Sequence, residues 1–491
     1  MRPEVWGGLE CTINRTQDEY ADQFERTGQY AQLTDLQKAC DLGITRLRFP
    51  ILWERHYNNP EAWLHTGRQL DLLAANGVEP IAGLLHHGGG PAFTDLTDPE
   101  FPVLFAAYAR KVAIAFPQIN YYTPINEPLT TARFSGLYGF WYPHGKDDAT
   151  FARTLINQLK AIVLAMQAIR EVNPDAQLIQ TEDLCKVHST TALQYQADFE
   201  NSRRWWTYDF LSGRVTPQHP AWHYCTAAGI DETDLNFFCD HICVPDIAGF
   251  NYHVTSERYL DDRVEDYLPG FRGGNGRDVY VDTEAVRSGH AAGLRPLLTE
   301  AWERYHLPMA ITECHLSCTR EQQLRWLGQQ WDIVKDLDAN SFPIVAITAW
   351  TLAGAYDWNS LLTQKDNHYE AGVFLTDQGE DQLSALAHMI LALAEEGEYD
   401  HPALPGKGWW DMPDHKPAYA QTLIVFDVPF MEGYCAQRKL HALYTDDLDD
   451  LRAMIFSEDA WAVVSGAGHE AVAIMCMTFN IPLLVLHEDS N

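Results

Sequence analysis

Eight short apolar runs rich in β-branched residues, each closing on polar side chains, constrain the fold of this chain more than any other feature. They are VWGGLEC (5 to 11), ITRLRFPI (44 to 51), PIAGLLHH (80 to 87), YYTPINEP (121 to 128), AQLIQTED (176 to 183), DIAGFNYH (246 to 253), PMAITECH (308 to 315) and IVAITAWT (344 to 351). Most are separated by patterns such as LTDLQKACDL and RTLINQLKAIVLAMQAIREV, where apolar residues recur at three and four and a helix is expected. Eight strands alternating with helices predict a (β/α)8 barrel. Such a barrel gathers the carboxyl ends of its strands at one mouth, where active sites are built. Arg48, His86, His87, Asn126, Glu127, Glu182, Asp183, Asn251, His253, Glu313 and Trp350 all fall at those ends.

Two of these residues suggest a chemistry. Glu127 would close the fourth strand and Glu313 the seventh, which sets two carboxylates across one mouth. That pairing suits cleavage of a glycosidic bond, in which one acid protonates the leaving oxygen and the other attacks the anomeric carbon. A lone glutamate at a strand end is commonly a surface or capping residue. Two of them in fitting local sequence argue otherwise.

At these residues the chain resembles the family 1 glycoside hydrolases, over roughly residues 4 to 400. TPINEP is similar to the family's acid/base segment, which implies that Asn126 binds the substrate 2-hydroxyl and Glu127 is the general acid/base. ITECH is similar to the nucleophile segment, with Glu313 as nucleophile, and LRFPILWER to the motif that sets an arginine, here Arg48, beside it. HHGGGP places His87 at the substrate pocket, DIAGFNYHVT resembles the sixth-strand segment that holds Asn251, and AWTLAGAYDW resembles the eighth-strand segment that supplies a platform tryptophan, Trp350. The sequence also departs from the family. Asn14 and Thr16 stand where Gln and Glu are usual, Gly88 and Gly89 where Trp-Asp follows the histidine, His253 where a tyrosine meets the nucleophile, and Asp357 where a longer acid contacts the sugar. The resemblance thus implies a retaining glycosidase or transglycosylase acting on a non-standard glycone.

Neighbouring residues suggest how the two acids would differ. Arg48 would favour the ionised form of Glu313, and Glu127, followed by Phe140, Trp141 and Tyr142, is expected to be poorly solvated and protonated. Arg133 and His144 in the same loop, and Glu182 with Asp183, would either bind hydroxyls or fix local geometry. Trp205 and Trp206 read as core, and His86 as a packed histidine.

Composition narrows the partners. With 35 basic and 68 acidic residues the formal charge is −33, which disfavours nucleic acid and anionic membrane surfaces and suits a neutral small glycoside or oligosaccharide. Fifteen tryptophans offer flat faces for sugars, although many must be core. No membrane span or signal-type leader is expected, which reads as a cytoplasmic protein; no metal or cofactor site is expected, and the scattered cysteines suggest reduced thiols.

The chain changes character near residue 400. The reading is a barrel domain over 1–400, a proline-rich linker or wrapping segment over 401–420, and a small Rossmann-like parallel α/β unit over 421–491. VVSGAGHEAVAIM places Gly466, Gly468 and Ala471 in a GxGxxA pattern, with Asp489 about 20 residues on. This tail resembles part of a nucleotide-sugar glycosyltransferase and, alternatively, of a dTDP-4-dehydrorhamnose reductase-like domain. It carries no Tyr-x-x-x-Lys pair, so an incomplete accessory unit without catalysis is expected. Two other functions stay open on sequence: a non-catalytic sugar-binding barrel, and a nucleotide-sugar enzyme acting through the tail.

Overall fold

The computed structural model describes the chain except for residues 1, 17–18, 30–32, 268, 375–382, 413–421, 439, 458–459, 480 and 487–491. Its first compact unit, Met1–Lys186 with Phe199–Ser256 and Ala292–Gly408, is built on a closed barrel. The strands are β1 (Glu4–Gly8), β2 (Arg46–Pro50), β3 (Glu79–His86), β4 (Tyr121–Asn126), β5 (Gln177–Asp183), β6 (Ile247–Asn251), β7 (Met309–Cys314) and β8 (Ile344–Ala349). Each pairs in parallel with the next, and β1 pairs with both β2 and β8 to close the ring. Parallel barrel strands are covered on both faces, which explains why the runs read as almost continuously apolar and why β7 is buried along its whole length.

The barrel interior is filled by side chains. Trp6, Ile81, Ile179, Ala310 and Ala346, from β1, β3, β5, β7 and β8, form one buried cluster, with Tyr121 of β4 and Ile247 of β6 packed against it. Outside, helices are fixed by their ends. Asn59 accepts from the Ala62 N–H at 3.2 Å to start Pro60–Ala75, and Asp147 accepts from the Thr150 N–H at 2.8 Å to start the long Asp148–Arg170 helix. Among the described residues no helix is long and apolar enough to cross a membrane.

The second unit comprises Val187–Asp198, Glu257–Ala291 and Trp409–Asn491. Its tail holds a parallel sheet of β9 (Thr422–Phe426), β10 (Ala442–Thr445), β11 (Ala460–Gly466) and β12 (Leu483–Leu486) in the order β10-β9-β11-β12. Alternation along β9 sends Leu423 and Val425 into one apolar cluster and Ile424 and Phe426 into another, so both sheet faces are covered. The glycine pattern lies between β11 and the helix Glu470–Thr478, with Gly468 at φ +96°. Asp489 lies outside the described residues. The segment 257–291 adds antiparallel pairing of Val279–Glu284 with Glu257–Asp261 and Arg272–Gly274.

Candidate active site

Both candidate carboxylates sit where the backbone leaves regular strand geometry. Glu127 follows β4 in a left-handed conformation, φ 44° and ψ 61°. Glu313 lies in β7 beyond a register shift that begins after Ile311 in the pairing with both β6 and β8. Such irregularities re-aim a side chain that the regular pleat would direct elsewhere.

Arg48 organises the floor of the mouth. One of its terminal nitrogens donates to Glu313 Oε1 at 2.7 Å and to the Thr312 carbonyl at 2.8 Å; the other donates to Asn126 Oδ1 at 2.7 Å. The Trp350 ring lies 4.7 Å below the guanidinium. Trp350 also stacks on His86, centroids 5.5 Å apart. Gly8 makes this possible, since a Cβ there would stand 2.3 Å from the indole. Burial works against the Glu313 charge, yet the Arg48 guanidinium and the His253 hydrogen bond overcome it and hold the carboxyl at about 2.

Glu127 has the opposite environment. Asn251 Nδ2 donates to its Oε1 at 2.6 Å, and His87 Nε2 stands 3.8 Å from Oε2. Burial, and then the carboxylates of Glu313, Asp183 and Glu182, raise its pKa well above the usual value. The aromatic residues expected to desolvate it have other roles. Trp141 packs on His87 at 5.2 Å and bonds the Leu361 carbonyl, Tyr142 lies under Arg15, and Phe140 is exposed. Beyond burial, the groups that favour its protonated form are acids of β7 and β5 rather than aromatics of its own loop. Its mouth therefore pairs an ionised and a protonated carboxyl, the division of roles that acid-assisted nucleophilic displacement needs.

The remaining residues are bound into the same network. Asn251 Oδ1 accepts from the Thr312 hydroxyl at 2.7 Å, so one amide links the surroundings of both acids. Asn126 Oδ1 also accepts from Thr181 at 2.8 Å, and its Nδ2 faces His87 Nε2 at 3.2 Å. Burial lowers the His87 pKa to about 4, so the ring is neutral, and its Nδ1 lies 3.0 Å from the Thr131 hydroxyl. Asn14 donates to the His87 carbonyl at 2.9 Å from the hairpin strand Ile13–Thr16. Asp357 is more committed than expected of a sugar ligand: Arg26 pairs with one oxygen at 2.8 Å and the His368 N–H donates to the other at 2.7 Å. His144 bonds the Gly139 carbonyl, Arg133 bonds Thr130, and Trp205 and Trp206 are buried.

His253 Nε2 lies 3.3 Å from Glu313 Oε2. Burial disfavours its cation, but the hydrogen bond and charge of Glu313, with Asp183 and Glu370, raise its pKa above 6.5. A tyrosine at this place would donate the same bond without titrating in that range. We therefore expect His253→Tyr to keep measurable turnover while losing one ionisation from the kcat/KM profile above pH 6.5. A profile identical to that of the wild type would show that His253 and Glu313 titrate independently.

Three groups at the mouth were not singled out from the sequence. Trp358 sits 5.5 Å from His87 and 6.2 Å from Trp141, completing an aromatic wall; its position after Asp357 in AYDW was the available signal. Glu10 and Glu54 are acids inside otherwise apolar motifs, and burial raises each to about 7. Glu54 accepts from the Gly90 N–H at 2.9 Å, and a Cβ at residue 88 would fall 2.1 Å from its Oε1, so glycine there is what admits the carboxyl. A carboxyl raised in the folded state stabilises below its unfolded value, near 4.5, and loses that contribution as pH rises through about 7. Glu54→Gln should therefore gain in Tm relative to the wild type between pH 5 and pH 8 by calorimetry. A constant difference would contradict the proton assigned to Glu54.

This fold and site define a (β/α)8 barrel of the two-carboxylate glycosidase type. The chain matches the model of glycosyl hydrolase family 1 over residues 10–369 and belongs to that family. It is 24% identical over 310 residues to a 6-phospho-beta-glucosidase from Dickeya chrysanthemi, in a match covering 57% of this chain and 63% of that protein's length. Among solved structures, the beta-glucosidase from Thermotoga maritima in complex with deoxynojirimycin superposes with a TM-score of 0.61 at 15% identity, over 81% of this chain and 98% of that one. Its complex with cyclophellitol gives 0.60 at 15% identity, over 82% and 98%. At these identities the likeness describes the fold.

Proposed function

We propose that this protein is a retaining β-glycosidase acting by double displacement. The observation that carries the reading is the contrast between two carboxyls at one mouth: Glu313 is ion-paired with Arg48, whereas Glu127 is buried among Glu313, Asp183 and Glu182, which favours its protonated form. In the first step Glu127 gives its proton to the glycosidic oxygen while Glu313 attacks the anomeric carbon. The bond to the aglycone breaks, the alcohol leaves, and a glycosyl ester remains on Glu313. In the second step Glu127, now a carboxylate, takes a proton from a water that attacks the same carbon, and Glu313 leaves as carboxylate. Asn126 and Asn251 would bind hydroxyls of the sugar, with His87 and Trp358 as one wall.

The substrate is a neutral β-glycoside. Arg48 is already engaged by Glu313 and Arg26 by Asp357, so neither is a free cation for an anionic sugar. The charge of −33 supports the same choice. The tail, with its glycine turn after β11, is an accessory Rossmann-like unit without chemistry of its own. Proton NMR of the first-formed sugar from a panel of aryl β-glycosides tests the function. Turnover with retention is expected, whereas inversion removes double displacement and absence of turnover favours a sugar-binding barrel.

A further inference from the structure

We infer that Glu182 is a positioning residue for the acid/base: it caps the helix that Glu127 opens, leaving the Glu127 carboxyl free to face substrate. This rests on Glu127 being the proton donor, as proposed above. The helix Pro128–Ala132 begins directly after Glu127, which occupies the cap position. A capping acid ordinarily folds back on the N–H groups of the second and third helical residues. Glu127 makes no such bond and turns to Asn251 instead. Pro128 has no N–H, so the exposed donors are those of Leu129 and Thr130, in a place closed to water.

Glu182, from the end of β5, supplies the missing acceptor. The Leu129 N–H donates to it at 3.0 Å and the Thr130 N–H at 3.4 Å. The Thr207 hydroxyl, from a third element, donates at 2.7 Å to the same oxygen as Leu129. Glu182 is 1% exposed, so these donors would otherwise be buried without partners. The carboxyl also acts through space. Glu127 is faced by Glu182 and Asp183 from β5, Glu313 from β7 and His87 after β3, while Arg133 faces Glu182 from the turn after the helix. Burial raises the Glu182 pKa to about 7, so above that pH its charge joins those of Glu313 and Asp183 in holding the proton on Glu127.

The test compares two β-glycosides of the same sugar, one with 2,4-dinitrophenol, which departs without a proton, and one with an unactivated alcohol. In Glu182→Ala, kcat/KM for the alkyl glycoside should fall about tenfold further than for the dinitrophenyl glycoside, as expected when a general acid is displaced. Glu182→Gln keeps an acceptor oxygen but drops the charge, so the basic limb of its kcat/KM profile should move to lower pH. Equal losses on both substrates with an unmoved basic limb would overturn the inference, and the glutamine variant decides it if the alanine variant does not fold. Glu127→Ala run alongside separates the two claims: without leaving-group dependence there, the acid/base assignment falls and the inference falls with it.

Discussion

Replacing Glu313 by glutamine should lower kcat/KM on aryl β-glycosides by on the order of 10⁵-fold or more, the scale on which loss of a covalent nucleophile acts. The amide keeps an oxygen for the 2.7 Å bond from Arg48 but cannot form the glycosyl ester. The change also leaves a buried guanidinium without its counter-charge, and breaking a buried pair of this kind costs about 3 to 5 kcal/mol. A lower Tm is therefore expected beside the loss of activity, and the kinetic comparison should be made well below that Tm. In Glu313→Ala, added azide should restore turnover by direct attack on the anomeric carbon and give the azide of inverted configuration. Activity within tenfold of the wild type in Glu313→Gln would exclude Glu313 as nucleophile.

The second large effect is expected at Glu127. Glu127→Ala should lose about 10² to 10⁴ in kcat/KM on glycosides with poor leaving groups, the range of general acid catalysis, and much less on 2,4-dinitrophenyl glycosides. The basic limb of the pH profile should disappear with it. In the wild type that limb reports a proton held far above the usual carboxyl range by burial and three neighbouring acids. Azide should accelerate the second step and release a glycosyl azide of retained configuration. Uniform losses across leaving groups would place the proton donor elsewhere.

The barrel was legible because its strands are buried on both faces and interrupted by helices of different period, a contrast that survives in a single sequence. Each of the eight runs overlaps one barrel strand, but the ends moved. The first run continues to residue 11, whereas β1 stops at Gly8 and frees Glu10 into the mouth. The hairpin of Ile13–Thr16 and Glu19–Asp22 and the sheet formed by 257–291 were not read, since strands of three to six residues carry little periodicity.

At the site, the positions of Asn126, Glu127, Asn251 and Glu313 near strand ends could be read from the runs, whereas Arg48 lies in the middle of β2; their partners could not be read. Asp357 is held by Arg26, 331 positions away, and the protonated form of Glu127 is favoured by burial and by acids of β7 and β5 rather than by aromatics next to it in sequence. Pairings of this kind depend on which strands are neighbours in the ring. For the same reason Glu182 read equally well as a hydroxyl ligand or a structural acid until the helix donors it meets were seen.

The central claim is that Glu313 forms a covalent bond to the sugar. Incubation of the full chain with a 2-deoxy-2-fluoro β-glycoside of an accepted sugar, bearing a dinitrophenyl leaving group, slows the second step and accumulates the intermediate. Mass spectrometry of the digested protein should find one fluoroglycosyl group, carried on the peptide that contains Glu313, and activity should return as it is released. A label on another residue, or inactivation without any label, would contradict the account.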